Sequence, residues 1–443
     1  MMKALLQKYN RPAPRYTSYP PVPNWQHVEP SVLTSAVRLS DSPLSIYVHI
    51  PFCERLCLYC GCNVVINKSH GPAAPYIEKL IAEMDLLPEA HARLATQIHW
   101  GGGTPTYLSP QQITRLFNAI VSRFAVPTNA EISIEIDPRV TTPGHLTTLR
   151  DLGFNRLSVG IQDFDGRVQA VVRRFQSFEV TRSVFEQARA LGFESVNADM
   201  IYGLPLQTPF SFAETLDQLL ELDPDRIAMF SYAHVPSLKR QQRSFEKHLP
   251  SDADKLDLFL LALRRLSTAG YEYIGFDHFA RPCDPLVAAR DNGSLHRNFQ
   301  GYTTHAETDL LGFGVSAISH VGRTFTQNHR GLTEYDDSIR QSRLPVFRGY
   351  VLSTDDRIRG AVIESLLCTG TISKNDLEKR FDIRFDEYFQ PELARLSQLE
   401  RDELITINAD RTLSLTHAGR IFARPVAQVF DAFQSAAAAS KAV

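Results

Sequence analysis

The chain is 443 residues long, more than one domain usually needs. It is 43% hydrophobic and 22% charged, the balance of an ordinary folded protein rather than a disordered one. Lys and Arg total 47 against 49 Asp and Glu, a formal net charge of −2 at pH 7, which speaks against a nucleic-acid or other polyanion-binding protein. No apolar run reaches membrane-spanning length, and MMKALLQKYNRPAPRYTSYP meets Arg and Pro where a signal peptide would be apolar, so no membrane span and a cytoplasmic location are expected.

Residues 1–40, rich in Pro and Tyr, predict an extended arm with a short helix. LSIYVHI at 44–50 predicts a buried strand, and a segment crowded with cysteines follows it directly. From there strand and helix alternate. YIEKLIAEMDLLPEA from 76 has helical spacing, TQIHW at 96–100 is a strand running into Gly101-Gly102-Gly103-Thr104, and Ser109 caps the helix SPQQITRLFNAIVSRF. Strands follow at 131–137, 156–162, 195–203 and 225–232, each with a helix after it, and YEYIGF at 271–276 is extended. At least six such units imply parallel pairing with right-handed crossovers, as in a complete or partial (β/α) barrel. Beyond about 350 the texture changes. Helices DDRIRGAVIESLLC, KNDLEKRF and FDEYFQPELARLSQL and a hairpin in LITINADRTLSLTHAG predict a small α-rich, winged-helix-like domain, and AAAAS near the end predicts a frayed terminus. The boundaries expected are 1–40 for the arm, 41–350 for the catalytic domain and its barrel extension, and 351–443 for the C-terminal domain.

Four of the six cysteines, Cys53, Cys57, Cys60 and Cys62, lie within ten residues, with Cys283 and Cys368 far away. A disulfide framework would spread its cysteines to close loops, so the crowding favours a metal site. Cys53, Cys57 and Cys60 form CxxxCxxC. Three thiolates suit three irons of a cubic cluster and leave one metal position for a small molecule. The alternative is structural zinc with Cys62 as its fourth ligand. Elsewhere, the three glycines at a strand's end permit either a tight turn or close backbone approach to a ligand. Glu135, between Ile134 and Ile136, is either solvent-facing or aimed at a site. Gln162 and Asp199 hold equivalent late-strand positions.

The cysteine spacing is the signature of the radical S-adenosylmethionine superfamily, and YVHIPFCERLCLYCGCN at 47–63 resembles one branch of it, the oxygen-independent coproporphyrinogen III oxidases. The resemblance extends through KYNRPAPRYTSYP at 8–20, HWGGGTPT at 99–106, EISIEIDPR at 131–139, GIQDF at 160–164 and DMIYGLPLQT at 199–208. It continues in YAHVP at 232–236, GFDHFARP at 275–282 and HRNFQGYTT at 296–304, so it covers nearly the whole chain. A related haem-chaperone branch shares the first three cysteines but usually lacks both the fourth and the N-terminal arm.

The resemblance implies a partial (β/α)6 TIM-type barrel with an N-terminal arm and a small α-rich C-terminal domain. It implies one [4Fe–4S] cluster on Cys53, Cys57 and Cys60, with Cys62 not a ligand. It further implies two S-adenosylmethionine molecules contacted by Tyr47, Tyr59, Gly102, Gly103, Thr104, Glu135, Gln162, Arg174, Asp199, Ala233 and Ile318. VRRFQ at 172–176 departs from the family's usual flanks of Arg174. The implied reaction converts two propionates of coproporphyrinogen III to vinyl groups. Cofactor chemistry carries the central step without a catalytic protein acid or base, and a reducing electron donor and a terminal electron acceptor are needed. Arg15, with Tyr16 and Tyr19, suits the carboxylates of such a substrate and is the candidate anchor; His278, Arg281, His296 and Arg297 add further cationic or titratable groups. A monomer is expected. The alternatives are a cluster-bearing haem chaperone and a radical enzyme acting on another tetrapyrrole.

Overall fold

The computed structural model describes residues 2–306 and 308–433; the AAAAS segment lies outside them. Six strands, β1 (Leu44–Ile50), β2 (Ala95–Gly102), β3 (Glu131–Ile136), β4 (Arg156–Gln162), β5 (Ser195–Tyr202) and β6 (Arg226–Ser231), pair in parallel in chain order. The helices between them are α1 (Ala73–Asp85), α2 (Pro110–Val121), α3 (Pro143–Asp151), α4 (Phe178–Ala190) and α5 (Pro209–Glu221), and α6 (Asp252–Thr268) follows β6. Four of them start with a reciprocal side-chain cap, among them Ser109 with Gln112 on α2 and Ser251 with Asp254 on α6.

The sheet continues past this core. Strands β7 (Glu272–Gly275), β8 (His278–Ala280), β9 (Asp309–Phe313), β10 (Ile318–Val321), β11 (Thr324–Asn328) and β12 (Val346–Val351) complete twelve, in the order β12-β11-β10-β9-β1-β2-β3-β4-β5-β6-β8-β7. β9 runs parallel to β1, and the flanking strands are antiparallel. β7 and β12 stand at opposite ends, so the barrel is partial. Short antiparallel strands carry weak periodicity, which is why the extension from 278 to 351 was not legible strand by strand.

Alternation along the parallel strands sorts two faces. Ile132, Ile134 and Ile136 of β3 are buried against the helices, whereas Glu131, Ser133 and Glu135 face the lumen and are only partly covered. Register places Tyr47 beside His99, His99 beside Ser133, Glu135 beside Ser158, and Gly160 beside Asp199. The lumen is therefore polar, which answers why a carboxylate stands between two isoleucines.

The N-terminal region holds two helices, Met2–Tyr9 and Ser31–Arg38, where one was expected. Leu5, Leu6, Tyr9, Tyr16 and Tyr19 are buried in one core with Val362, Leu366, Phe389 and Phe422. The C-terminal region carries helices Thr354–Cys368, Lys374–Phe381 and Gln390–Arg401 and a three-stranded antiparallel sheet with the expected hairpin. The segment FDEYFQPELARLSQL, expected as one helix, breaks at Phe389 into two. Among the described residues no helix is long and apolar enough to cross a membrane.

One buried carboxylate joins α1 to the sheet extension. Glu83, 2% exposed, accepts hydrogen bonds from Gly314 N (2.7 Å), Asn328 Nδ2 (2.6 Å) and Tyr335 OH (2.6 Å). Burial pushes its carboxyl up to about 7 despite these donors. Glu83→Ala strands three buried donors, so a loss of about 3 kcal/mol is expected in urea unfolding. A loss under about 1 kcal/mol would show that α1 is held by apolar packing alone.

Candidate active site

A cavity of about 700 Å³ opens at the C-terminal ends of the parallel strands, where barrel folds gather their chemistry. Cys53, Cys57, Cys60 and Cys62 border it, as do Tyr59, Gly102, Gly103, Thr104, Glu135, Gln162, Arg174, Asp199 and Ala233. Tyr47 is not on its wall. It lies deeper in the lumen, stacked on His99 with ring centroids 6.0 Å apart. Ile318 packs near Trp25, Phe325 and Leu352, away from the cavity. Arg15 stands behind the wall, ion-paired with Asp277 and lying over the Phe230 ring at 5.7 Å; Phe230 itself borders the cavity.

The cysteine loop leaves β1 with little regular structure, and neighbouring segments hold it. Leu58 N donates to Val172 O (2.9 Å), Val65 N to Pro51 O (2.7 Å) and Asn67 N to Cys53 O (2.9 Å). On the far side, Gln242 Nε2 donates to Tyr59 O (3.0 Å), Gln241 Nε2 to Cys60 O (3.2 Å) and Lys239 Nζ to Cys62 O (2.5 Å). Gln242 is fully buried, also donates to Ala233 O (3.4 Å) and accepts from Val235 N (2.7 Å). One carboxamide thus ties two walls of the cavity together. His49 adds a third tie: its Nε2 lies 3.1 Å from Asn63 O, which can only accept, so Nδ1 is left to accept from Tyr47 OH at 3.0 Å. Tyr47 therefore reaches the loop through His49.

The glycines sit where a side chain would collide. Gly102 has φ +117°, and a Cβ there would come 2.6 Å from the His49 ring. A Cβ on Gly103 would come 2.7 Å from the Pro51 and Phe52 carbonyl oxygens. Gly103 N donates to Ile50 O (2.8 Å) and Thr104 N to Phe52 O (2.9 Å), which seats the Thr104 hydroxyl 3.3 Å from Cys53 Sγ.

Charge is divided across the cavity. Arg139 Nη2 and Arg174 Nη1 approach Cys57 Sγ at 3.5 and 3.7 Å and share Asp137 between them, at 2.6 and 3.4 Å. Burial works against the Asp137 carboxylate, but Arg174 and Arg139 outweigh it and hold the pKa at about 2. Across the cavity, Glu135 accepts from Gly102 N (3.0 Å). Asp199 accepts from Ser158 Oγ (2.8 Å) and Asn197 Nδ2 (2.7 Å). Burial opposes ionisation of Glu135 too, yet His99 and the Gly102 amide leave its pKa below the usual value. Asp199 is pushed up to about 7, first by burial and then by the charge on Glu135. Among the thiols, burial pushes Cys53 up to about 12, while a hydrogen bond from Cys62 draws Cys60 down to about 6.

This donor set fits an iron–sulphur cluster. The thiols border a roomy cavity with two guanidiniums beside one of them, a suitable setting for an anionic thiolate-bound group. Sequence reasoning did not single out Asp137, Arg139, Ser158, His49 or Gln242. Asp137 and Arg139 could have been found by continuing the alternation of β3 past Ile136, and Ser158 by the alternation within β4. Gln242 lies in an irregular segment whose sequence carries no such signal.

If the carboxamide latch holds the loop, Gln242→Leu should speed hydrogen exchange of the amides of residues 57–62 by tenfold or more, about 1.4 kcal/mol of local stability. Exchange in the C-terminal domain should stay the same. Unchanged loop exchange would mean that the strand contacts suffice.

Residues 47–219 match the radical SAM superfamily and 352–422 the HemN C-terminal domain. The oxygen-independent coproporphyrinogen III oxidase of Salmonella typhimurium is 45% identical over 434 residues, spanning 97% of this chain and 95% of that protein. That of Pseudomonas aeruginosa is 42% identical over 438 residues, with the same coverage. The solved structure of the Escherichia coli radical SAM coproporphyrinogen III oxidase, HemN, is similar with a TM-score of 0.93 and 42% identity, over 97% of this chain and 98% of that one. With the barrel, the cysteine loop and both ends of the chain all matched, the protein belongs to the oxygen-independent coproporphyrinogen III oxidase family of radical SAM enzymes.

Proposed function

We propose that this chain carries out the anaerobic oxidative decarboxylation of two propionate side chains of coproporphyrinogen III, giving protoporphyrinogen IX. The observation that carries this reading is the meeting of Cys53, Cys57 and Cys60 with a charge-divided wall on one cavity, in a chain that matches such oxidases from end to end. Cys53, Cys57 and Cys60 would hold one [4Fe–4S] cluster, and Cys62 would remain outside it. When bound, the cluster and S-adenosylmethionine supply a 5′-deoxyadenosyl radical able to take a β-hydrogen from a propionate, after which carbon dioxide and one electron leave.

The protein's own part is placement and charge. Arg139 and Arg174 offset negative charge at Cys57, and the Gly102–Gly103 turn lets β2 close against the cysteine loop. Glu135 and Asp199 face the cavity as partners for cationic groups of S-adenosylmethionine, of which two molecules are proposed, with Tyr59, Thr104, Gln162 and Ala233 completing the wall. Tyr47 acts through His49. In this reading 1–40 is the substrate-contacting arm of a 41–350 catalytic domain, and 351–443 is the C-terminal domain. Arg15 is the proposed carboxylate anchor there, and a substrate carboxylate would compete with Asp277 for it. The electron donor and terminal acceptor are further partners in this reading.

Anaerobic turnover with coproporphyrinogen III, reductant and S-adenosylmethionine tests the proposal. One protoporphyrinogen and two carbon dioxides per substrate are expected by mass detection; a different product mass, or haem transfer without turnover, would point to another tetrapyrrole enzyme or a chaperone. Cys53→Ala, Cys57→Ala and Cys60→Ala should each abolish S-adenosylmethionine cleavage, whereas Cys62→Ala should keep most of the iron. Wild-type cleavage in any of the first three would refute its assignment as a ligand.

Asp199 makes a separate pH prediction. Its folded pKa is raised to about 7, so it gains charge as pH rises through that value. Affinity for the cationic cofactor should therefore increase between pH 6 and 8, by more in the wild type than in Asp199→Asn. Titration calorimetry on cluster-loaded enzyme measures this, and equal pH slopes in the two proteins would remove Asp199 from the site.

A further inference from the structure

A second cavity, of about 350 Å³, lies between the N-terminal arm, the hairpin His296–Thr303 and the helix Thr354–Cys368. None of the proposed cluster or S-adenosylmethionine residues borders it. Arg297 does. Its guanidinium lies over the rings of Phe276 (4.4 Å) and Tyr302 (4.9 Å), while Nε and Nη1 are sealed from solvent and have no acceptor among the described residues. The nearby acids are engaged elsewhere, Asp277 with Arg15 and Glu364 with His296. His320, stacked on Phe325, borders the same cavity, and its buried Nε2 also has no partner among the described residues.

A guanidinium does not shed its proton, and stacking on two rings leaves its in-plane donors unmet. A half-buried guanidinium with two unmet donors, on a polar cavity that Asp356 and Glu364 also border, is a place where an anion would be stabilised. Guanidinium donors suit a carboxylate oxygen through charge-assisted hydrogen bonds. The cavity also joins the reaction site by contact: Arg297 and Arg15 both lie over Phe276, and Arg15 lies over Phe230 on the upper cavity's wall. Residues 15–19 of the arm thus run from one cavity to the other, with Tyr16 and Tyr19 lining the second.

We propose that the second cavity is a carboxylate-binding site anchored by Arg297. Resting on the function proposed above, its occupant is a propionate of the tetrapyrrole other than the one being converted; a free small carboxylate is the other source of the same chemistry. Coproporphyrin III, the oxidised and unreactive form of the substrate, serves as a fluorescent probe. Wild type should bind it, Arg297→Gln should bind it at least tenfold more weakly, and Arg297→Lys should fall between. The tetramethyl ester should not distinguish the three proteins, which also shows that the variants fold. Sodium propionate alone is the second arm. If it raises the melting temperature of wild type but not of Arg297→Gln, while both bind coproporphyrin equally, the site stands and its occupant is a free carboxylate. Equal porphyrin affinity with no propionate effect in either protein overturns the site. Failure of wild type to bind coproporphyrin, with propionate still stabilising it through Arg297, overturns the proposed substrate and leaves the site standing.

Discussion

Three thiols have to be presented at fixed points by a stretch of backbone that makes almost no hydrogen bonds to itself. Between Cys53 and Asn67 two backbone bonds are internal, Cys60 N to Cys57 O and Asn67 N to Cys53 O, the latter closing the loop's two ends. An irregular segment beside a cavity must find partners for its remaining polar groups elsewhere, or it will take many conformations. Here the partners are divided by side. Strand and turn backbone from 51–53 and 172 hold the inner edge, and side chains from 239–242 together with His49 hold the carbonyls of Tyr59, Cys60, Cys62 and Asn63. The upper half of the barrel is organised around this need. The glycine turn after β2 comes close enough to hydrogen-bond Ile50 and Phe52 because it carries no side chains.

The second constraint is charge. Arg139 and Arg174 share a single carboxylate, so a fraction of positive charge is left facing Cys57. Glu135 and Asp199 face the cavity from strands further along, and two acids so placed in a low-dielectric lumen do not both ionise freely, which is why Asp199 yields. The result is a cavity positive at the cysteine loop and negative at the β3–β5 rim. A molecule carrying a carboxylate and a cationic centre a few atoms apart fits such a field in one orientation only. That is a physical reason for this wall to favour a zwitterionic molecule over a purely anionic one.

Most of the barrel was legible because parallel strands and their helices have long, strong periodicities, and Ser109, Gly153 and Gly192 mark their ends. The cysteine spacing was legible as a metal site, but spacing alone left zinc open; what favours a cluster is the match of residues 47–219 to the radical SAM superfamily. Glu135 and Asp199 stood out as polar residues in apolar strands, and alternation explains them once the lumen is known to be polar. Three kinds of feature escaped. The antiparallel extension uses strands of three to six residues. The ties from Gln242 and Lys239 depend on an irregular segment meeting the loop about 180 residues away in sequence. The packing of Ile318 against the cluster that holds Trp25 depends on a residue about 290 positions away, which a strand pattern does not encode.

Arg15 brings the chain's two ends into the argument. Its arm is not a loose tail. Arg424 donates to the carbonyls of Ala13 and Pro14, Tyr16 OH donates to Asp431 at 3.0 Å, and Lys8 and Tyr9 both reach Asp402. These contacts join residues some 400 positions apart, and the shared core of Leu5, Tyr9, Phe389 and Phe422 makes arm and C-terminal region one folded unit. The C-terminal sheet and helices therefore bear on the barrel's chemistry through the arm they hold, since Arg15 and Tyr16 through Tyr19 follow directly from the segment they clamp. Losing either end would release the other, and the wall between the two cavities would go with it.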